Sequence, residues 1–155
     1  MEVYLDNSAT TSVSPDAVKK AKEAMELVWG NPSSLHSRGL SAEKLILEAR
    51  ENILMSLGIT DRASAKTGRL VFTGSGTEAD NLALFGTAHA KAQNRGGRII
   101  TTDSEHPAVL ESCRALESEG FDVVYIRSRG GVLDMEQYLE ALTPRTIIVS
   151  IMAVN

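Results

Sequence analysis

The stretch FTGSGTEADN, residues 72–81, sets Gly74, Ser75, Gly76 and Thr77 between a β-rich run and a helical pattern. A tight backbone turn there, with unpaired N–H groups at a helix start, suits an anion such as phosphate. Gly76 lets the backbone approach a ligand closely, and Thr77 adds a hydroxyl donor. His106, in SEHPAV after the apolar run RIITT, places an imidazole at the carboxyl end of a strand, where it can hold or pass a proton near neutral pH. In isolation the turn reads as a plain strand-to-helix connection capped by threonine, and a lone histidine after a strand as a solvated or hydrogen-bonded loop residue.

The other reactive side chains read as structural. Cys113 is the only cysteine, so neither an internal disulfide nor a cysteine-based metal cluster can form. It lies four residues after Val109 on an apolar helical stripe, the place of a buried structural thiol and not of a nucleophile. His36 has no second ligand at helical spacing, so no metal site is expected. Lys19, Lys20, Lys22, Lys44, Lys66 and Lys91 fall on helices or loops as surface charges.

Elements must position the turn and the histidine. Ser14-Pro15 opens a helix as N-cap and first position, and Val18, Ala21, Met25 and Val28 recur at helical spacing until Gly30-Asn31-Pro32. GNPSSLHSRG is expected to be a loop. A long helix is expected after Ser41, through Ala42, Leu45, Ile46, Ala49, Ile53 and Leu57, stopping at Gly58.

Residues 69–73 (RLVFT) read as a short strand, about Thr77 to Asn94 as a helix, and Arg98 to Thr102 as the next strand. Pro107 to about Glu119 reads as a helix, Asp122 to Ile126 as a strand, and MEQYLEALT as a helix capped by Asp134. TIIVSIMAV reads as a continuous buried strand of the parallel, central kind. The alternation predicts an α/β fold with a mainly parallel sheet and right-handed crossovers. Functional loops gather at the carboxyl ends of such strands, so a chain stopping at Asn155, directly after the last one, reads as cut rather than finished.

Composition narrows the function classes. The 155 residues are 43% hydrophobic and 23% charged, which fits a globular domain or part of one and excludes disordered or collagen-like classes. A net charge of −4 argues against nucleic acid as the main partner. Any anion site must therefore be local. No apolar run approaches a membrane span and MEVYLDNSATT lacks the features of a secretory signal, so no membrane association and a cytoplasmic location are expected.

Five blocks carry a resemblance: YLDNSATT, GNPSSLHSRG, VFTGSGTEADN, SEHPAVLESCRALESEGF and TIIVSIMAVN, in this order. Together they resemble the cysteine desulfurases of the NifS/IscS type, pyridoxal-phosphate-dependent enzymes of the class-V aminotransferase fold. The GNPSS and EHPAV blocks are similar to the NifS/IscS branch rather than to the selenocysteine lyase and SufS branch. The resemblance covers essentially all of this chain and less than half of the family's chain.

The resemblance implies a three-layer α/β large domain with flanking helices, begun but incomplete over 15–155, with residues 1–14 associated with the small domain. It implies that the N–H at Gly76 and the hydroxyl and N–H of Thr77 bind the phosphate of pyridoxal phosphate. His106 would lie over the cofactor ring and assist proton transfer. The family reads Asn-Asn-Glu where this chain reaches Asn155, so Asn155 is a cofactor-binding candidate for the phenolic oxygen. The family reads Ser-Gly-Ala-Thr or Ser-Gly-Gly-Thr where this chain has Gly74-Ser75-Gly76-Thr77, with serine and glycine exchanged. Asn7, Ser8, Ala9 and Thr10 resemble the family's N-terminal segment near the active site, though a simple entry loop reads as well. Asn31, Ser33, His36 and Arg38 sit in a loop long enough for function.

The implied reaction takes L-cysteine to L-alanine, passing sulfur to an enzyme cysteine and then to an acceptor or scaffold protein. The cofactor-bonding lysine, the acid opposite the pyridine nitrogen and the sulfur-accepting cysteine come in the family from beyond the point matched by Asn155. The chain alone is therefore expected to be inactive. Its open sheet edges imply the remainder of the parent chain, a homo-oligomer or a rearranged sheet. A standalone α/β module holding a phosphorylated ligand or a protein partner is the competing reading. A nucleotide-binding domain fits poorly, because the turn lacks the P-loop Gly-Lys-Ser/Thr and the spaced dinucleotide fingerprint.

Overall fold

The computed structural model describes residues 3–59 and 70–154. The chain divides into two compact units, 1–71 and 72–155. Among the described residues no helix is long and apolar enough to cross a membrane.

The first unit is helical. Helix α1 (Pro15–Leu27) begins as its sequence dictates: the Ser14 hydroxyl accepts the Ala17 N–H at 3.2 Å and Pro15 takes a position that needs no donor. None of its residues is buried. Helix α2 (Ser37–Ser56) starts earlier than the serine at 41 suggests, so the end of GNPSSLHSRG is helical and not loop. The reason is an uncommon cap: Nδ1 of His36 accepts the Gly39 N–H at 3.3 Å. Glycine is required at 39 because a Cβ would lie 2.1 Å from the Ser34 carbonyl oxygen. At the other end, Gly58 N–H bonds the Met55 carbonyl and Ile59 N–H the Leu54 carbonyl, the paired closure that a glycine after a helix permits.

The second unit is a three-stranded parallel sheet with helices on both faces, the three-layer α/β arrangement anticipated above. Its elements are α3 (Gly76–Arg95), β1 (Arg98–Thr102), α4 (Pro107–Ser118), β2 (Asp122–Ile126), a small hairpin β3 (Ser128–Arg129) and β4 (Val132–Leu133), α5 (Met135–Ala141) and β5 (Thr146–Val149). The sheet order is β2-β1-β5. β1 pairs in register with β2 from Arg98↔Asp122 to Thr102↔Ile126, and its pairing to β5 slips by one residue after Arg98↔Thr146.

Successive residues of β1 point to opposite faces. Ile99 packs with Leu84, Ala88, Val109, Cys113 and Leu116 under α3 and α4, whereas Ile100 packs with Ile126 and Ala141 under α5. Both isoleucines are fully buried. At the start of the sheet, Arg98 donates to Asp122 at 2.7 Å and to the Ala141 carbonyl at 3.1 Å, tying β1, β2 and α5.

Two expected strands differ. Residues 70–73 are irregular, with Val71 and Phe72 half exposed, and Arg69 lies outside the described residues. β-propensity does not make a strand without a neighbouring ladder to satisfy the backbone. TIIVSIMAV forms a strand only over Thr146–Val149 and is not central: β5 is at one end of the strand order, and β1 holds the middle. Beyond it the Ser150 N–H still bonds the Ile100 carbonyl at 2.9 Å, but the Met152 N–H turns to the Glu105 carboxylate.

The β3–β4 hairpin is held through Asp103, which accepts from the Ser128 hydroxyl at 2.7 Å and the Ser128 N–H at 2.9 Å. These bonds, the hydroxyl first, hold the Asp103 carboxyl below its ordinary value. A lowered folded-state value stabilises above the unfolded-state value and is lost as pH falls through the folded one. Asp103→Asn is expected to be less stable than wild type at pH 7, with the difference shrinking as pH drops below about 4, measured by urea unfolding across pH. Ile99→Ala should cost about 2–5 kcal/mol in the same assay, because it opens a cavity at the centre of the sheet.

Candidate functional site

The turn before α3 is pinned by its own side chains. The Ser75 hydroxyl accepts the Glu78 N–H at 3.2 Å, Glu78 Oε2 accepts the Gly74 N–H at 2.7 Å, and the Thr73 hydroxyl donates to the Ser75 carbonyl at 2.9 Å. Ser75 is thus the N-cap, and Ser75-Gly76-Thr77-Glu78 has the spacing of a capping box, with the glutamate reaching one residue further back than usual. That pattern was readable in the sequence and shows the cap to be serine, not threonine. The Thr77 hydroxyl is consequently not committed to capping.

The N–H groups of Gly76 and Thr77 fall among the first-turn donors that a helix cannot satisfy itself. Both residues are exposed, and a Cβ at Gly76 would meet nothing within 4 Å. No packing within the described residues fills the space in front of this turn.

His106 caps α4. Its Nδ1 accepts the Ala108 N–H at 3.1 Å, which places the single proton of the neutral ring on Nε2, and the residue is exposed. The preceding residue, Glu105, is only 8% exposed. Its carboxylate accepts from Thr102 at 3.3 Å and from the Met152 N–H, so the segment leading into the cap is fixed to the end of β1 and to the chain after β5.

Helices α3 and α4 run in the same direction: Asn81 meets Ser112 near their starts, and His89 meets Glu119 at 2.7 Å further along both. Their N-termini therefore open toward the same side, at the carboxyl end of β1, the position expected for a site in an open α/β sheet. A cavity of about 460 Å³ lies there, with Thr77, Asn81 and Phe85 from α3 facing His106, Ala108 and Ser112 at the start of α4. Glu111 stands at its edge, paired to Arg114. Two helix N-termini bring partial positive charge to one space.

Of the residues anticipated from sequence, Thr77 and His106 line this one cavity, with Gly76 next to Thr77 at the first turn of α3. Asn155 lies outside the described residues. Asn81 and Ser112 escaped sequence reading, since a helical asparagine and serine carry no signal without knowledge of which helices touch. Cys113 is fully buried against the sheet, and burial pushes its thiol up. The early candidates serve local structure: Asn7 accepts from the Thr11 hydroxyl, Asn31 from the Ser33 N–H, His36 caps α2, and Arg38 stacks on the Trp29 ring at 4.9 Å.

The chain is similar to known proteins over its whole length. The cysteine desulfurase IscS of Haemophilus ducreyi is 42% identical over 159 residues, spanning 100% of this chain and 37% of that protein. A solved NifS-like protein superposes with a TM-score of 0.88 at 34% identity, over 100% of this chain and 41% of its own. SspA in complex with cysteine superposes with a TM-score of 0.82 at 34% identity, over 98% and 42%. The chain thus spans about two fifths of the length of these relatives. The aminotransferase class-V family model matches residues 3–155, and the chain belongs to that family.

Proposed function

We propose that this chain forms the phosphate-binding turn and the ring-facing histidine of a pyridoxal-phosphate-dependent cysteine desulfurase, which converts L-cysteine to L-alanine and passes the sulfur to an enzyme cysteine. The observation that carries the reading is the convergence of Thr77 and His106, from two helix N-termini, on one cavity. In this assignment residues 15–155 belong to the cofactor-binding domain and residues 1–14 to the smaller one.

The residues present fit the cofactor. A phosphate is matched by the N–H groups of Gly76 and Thr77, the Thr77 hydroxyl and the open space over Gly76. When bound, pyridoxal phosphate supplies an electron sink for the carbon bearing the substrate amine. His106 can hold or pass a proton at Nε2, because Nδ1 is held by the Ala108 N–H. Phe85 gives the cavity an apolar wall, and Asn81 a polar edge.

Desulfuration needs groups that this cavity lacks among the described residues. No lysine lines it; Lys19, Lys20, Lys22, Lys44 and Lys91 are all exposed on helices. Cys113 is too buried to take up sulfur. The chain on its own is therefore inactive in this reading, and works with the remainder of a longer chain or with further copies, delivering sulfur to an acceptor or scaffold protein.

Equilibrium dialysis of the chain against pyridoxal phosphate and against pyridoxal tests the assignment. Pyridoxal phosphate should bind and pyridoxal should not, and Thr77→Val should weaken binding at least about tenfold. Equal binding of the two compounds, or an unaffected Thr77→Val variant, would overturn it. The chain incubated with pyridoxal phosphate and L-cysteine should form no alanine, and Cys113 should react with a thiol reagent only at the rate of unfolding.

A further inference from the structure

Ser112 is buried, 4% exposed, in the wall between α3 and α4. Its hydroxyl contacts two acceptors, the Asn81 Oδ1 across the helix pair and the Ala108 carbonyl one turn back at 2.7 Å. A hydroxyl has one proton and two lone pairs. Its one proton is shared between the Asn81 Oδ1 and the Ala108 carbonyl, so the hydroxyl links the Asn81 side chain on α3 to the first turns of α4.

The position of this contact matters. Asn81 is one turn along α3 from Thr77, on the same face. Ser112 is one turn along α4 from Ala108, whose N–H in turn holds the His106 ring. Thr77 thus lies one turn from the contact on α3, and the His106 ring is held by a residue one turn from it on α4. A second polar contact between the pair, His89 to Glu119, lies further along both helices and is exposed.

We propose that Asn81 and Ser112 are a positioning pair, setting the separation of α3 and α4 at the cavity so that Thr77 and His106 meet the same bound molecule. The consequence for a cofactor rests on the pyridoxal-phosphate reading above, whereas the clamp itself does not. Neither residue is catalytic: Ser112 acts through Asn81, and Asn81 through the helix that carries Thr77.

The full chain is compared with Asn81→Ala, Ser112→Ala, the double variant, Ser112→Thr and Glu119→Ala. In the ligand-free protein, amide hydrogen exchange should quicken at least about fivefold over residues 80–83 in the first three and stay near wild type in Ser112→Thr, which keeps the hydroxyl. Pyridoxal phosphate affinity should fall about tenfold in each alanine variant and no further in the double, the mark of two residues acting as one unit. Glu119→Ala removes the far tie and should leave affinity within about twofold of wild type. Unchanged exchange in Asn81→Ala and Ser112→Ala would overturn the clamp, as would an equal loss of affinity in Glu119→Ala. A wild-type chain that binds no pyridoxal phosphate would overturn the functional reading, and the exchange data would still decide the clamp.

Discussion

Strand β1 is flanked on both sides by parallel neighbours and packed on both faces, with Ile99 and Ile100 directed into separate cores. Its carboxyl end is therefore the most constrained point of the second unit. Within four residues of that end, Asp103 anchors the β3–β4 hairpin, Glu105 fixes the chain beyond β5, and His106 caps α4. The polar side chains hold together segments that the apolar core alone would leave unaligned.

A division of labour follows from this arrangement. The apolar cluster under α3 and α4 packs both helices against the sheet, and the caps orient their first turns. Glu78 and Ser75 occupy the Gly74 and Glu78 N–H groups, which concentrates the remaining donors on Gly76 and Thr77. In the proposed reading, capping and anion binding use different donors of the same turn. With serine at 75, the N-cap is Ser75, and the Thr77 hydroxyl is not used for capping.

Much of this was legible in the sequence because the signals are local. β1 and β2 coincide with RIITT and DVVYI, and Pro107 and Asp134 mark helix starts where expected. Two misreadings depend on partners distant in sequence, and one on an uncommon local cap. Among the described residues, 70–73 have strand-forming types without a ladder, and β5 is apolar enough for a central strand but pairs with β1 alone. The start of α2 was hidden because histidine is not a common cap. Thr77 and His106 were visible through motif resemblance, but the Asn81–Ser112 contact that joins their helices exists only in three dimensions.

In the proposed reading Thr77 and His106 serve one cofactor, which a crystal structure of the chain grown with pyridoxal phosphate would test. The phosphate is expected against the N–H groups of Gly76 and Thr77, and the ring beside His106. A phosphate bound elsewhere, or at Thr77 with the ring directed away from His106, would contradict it.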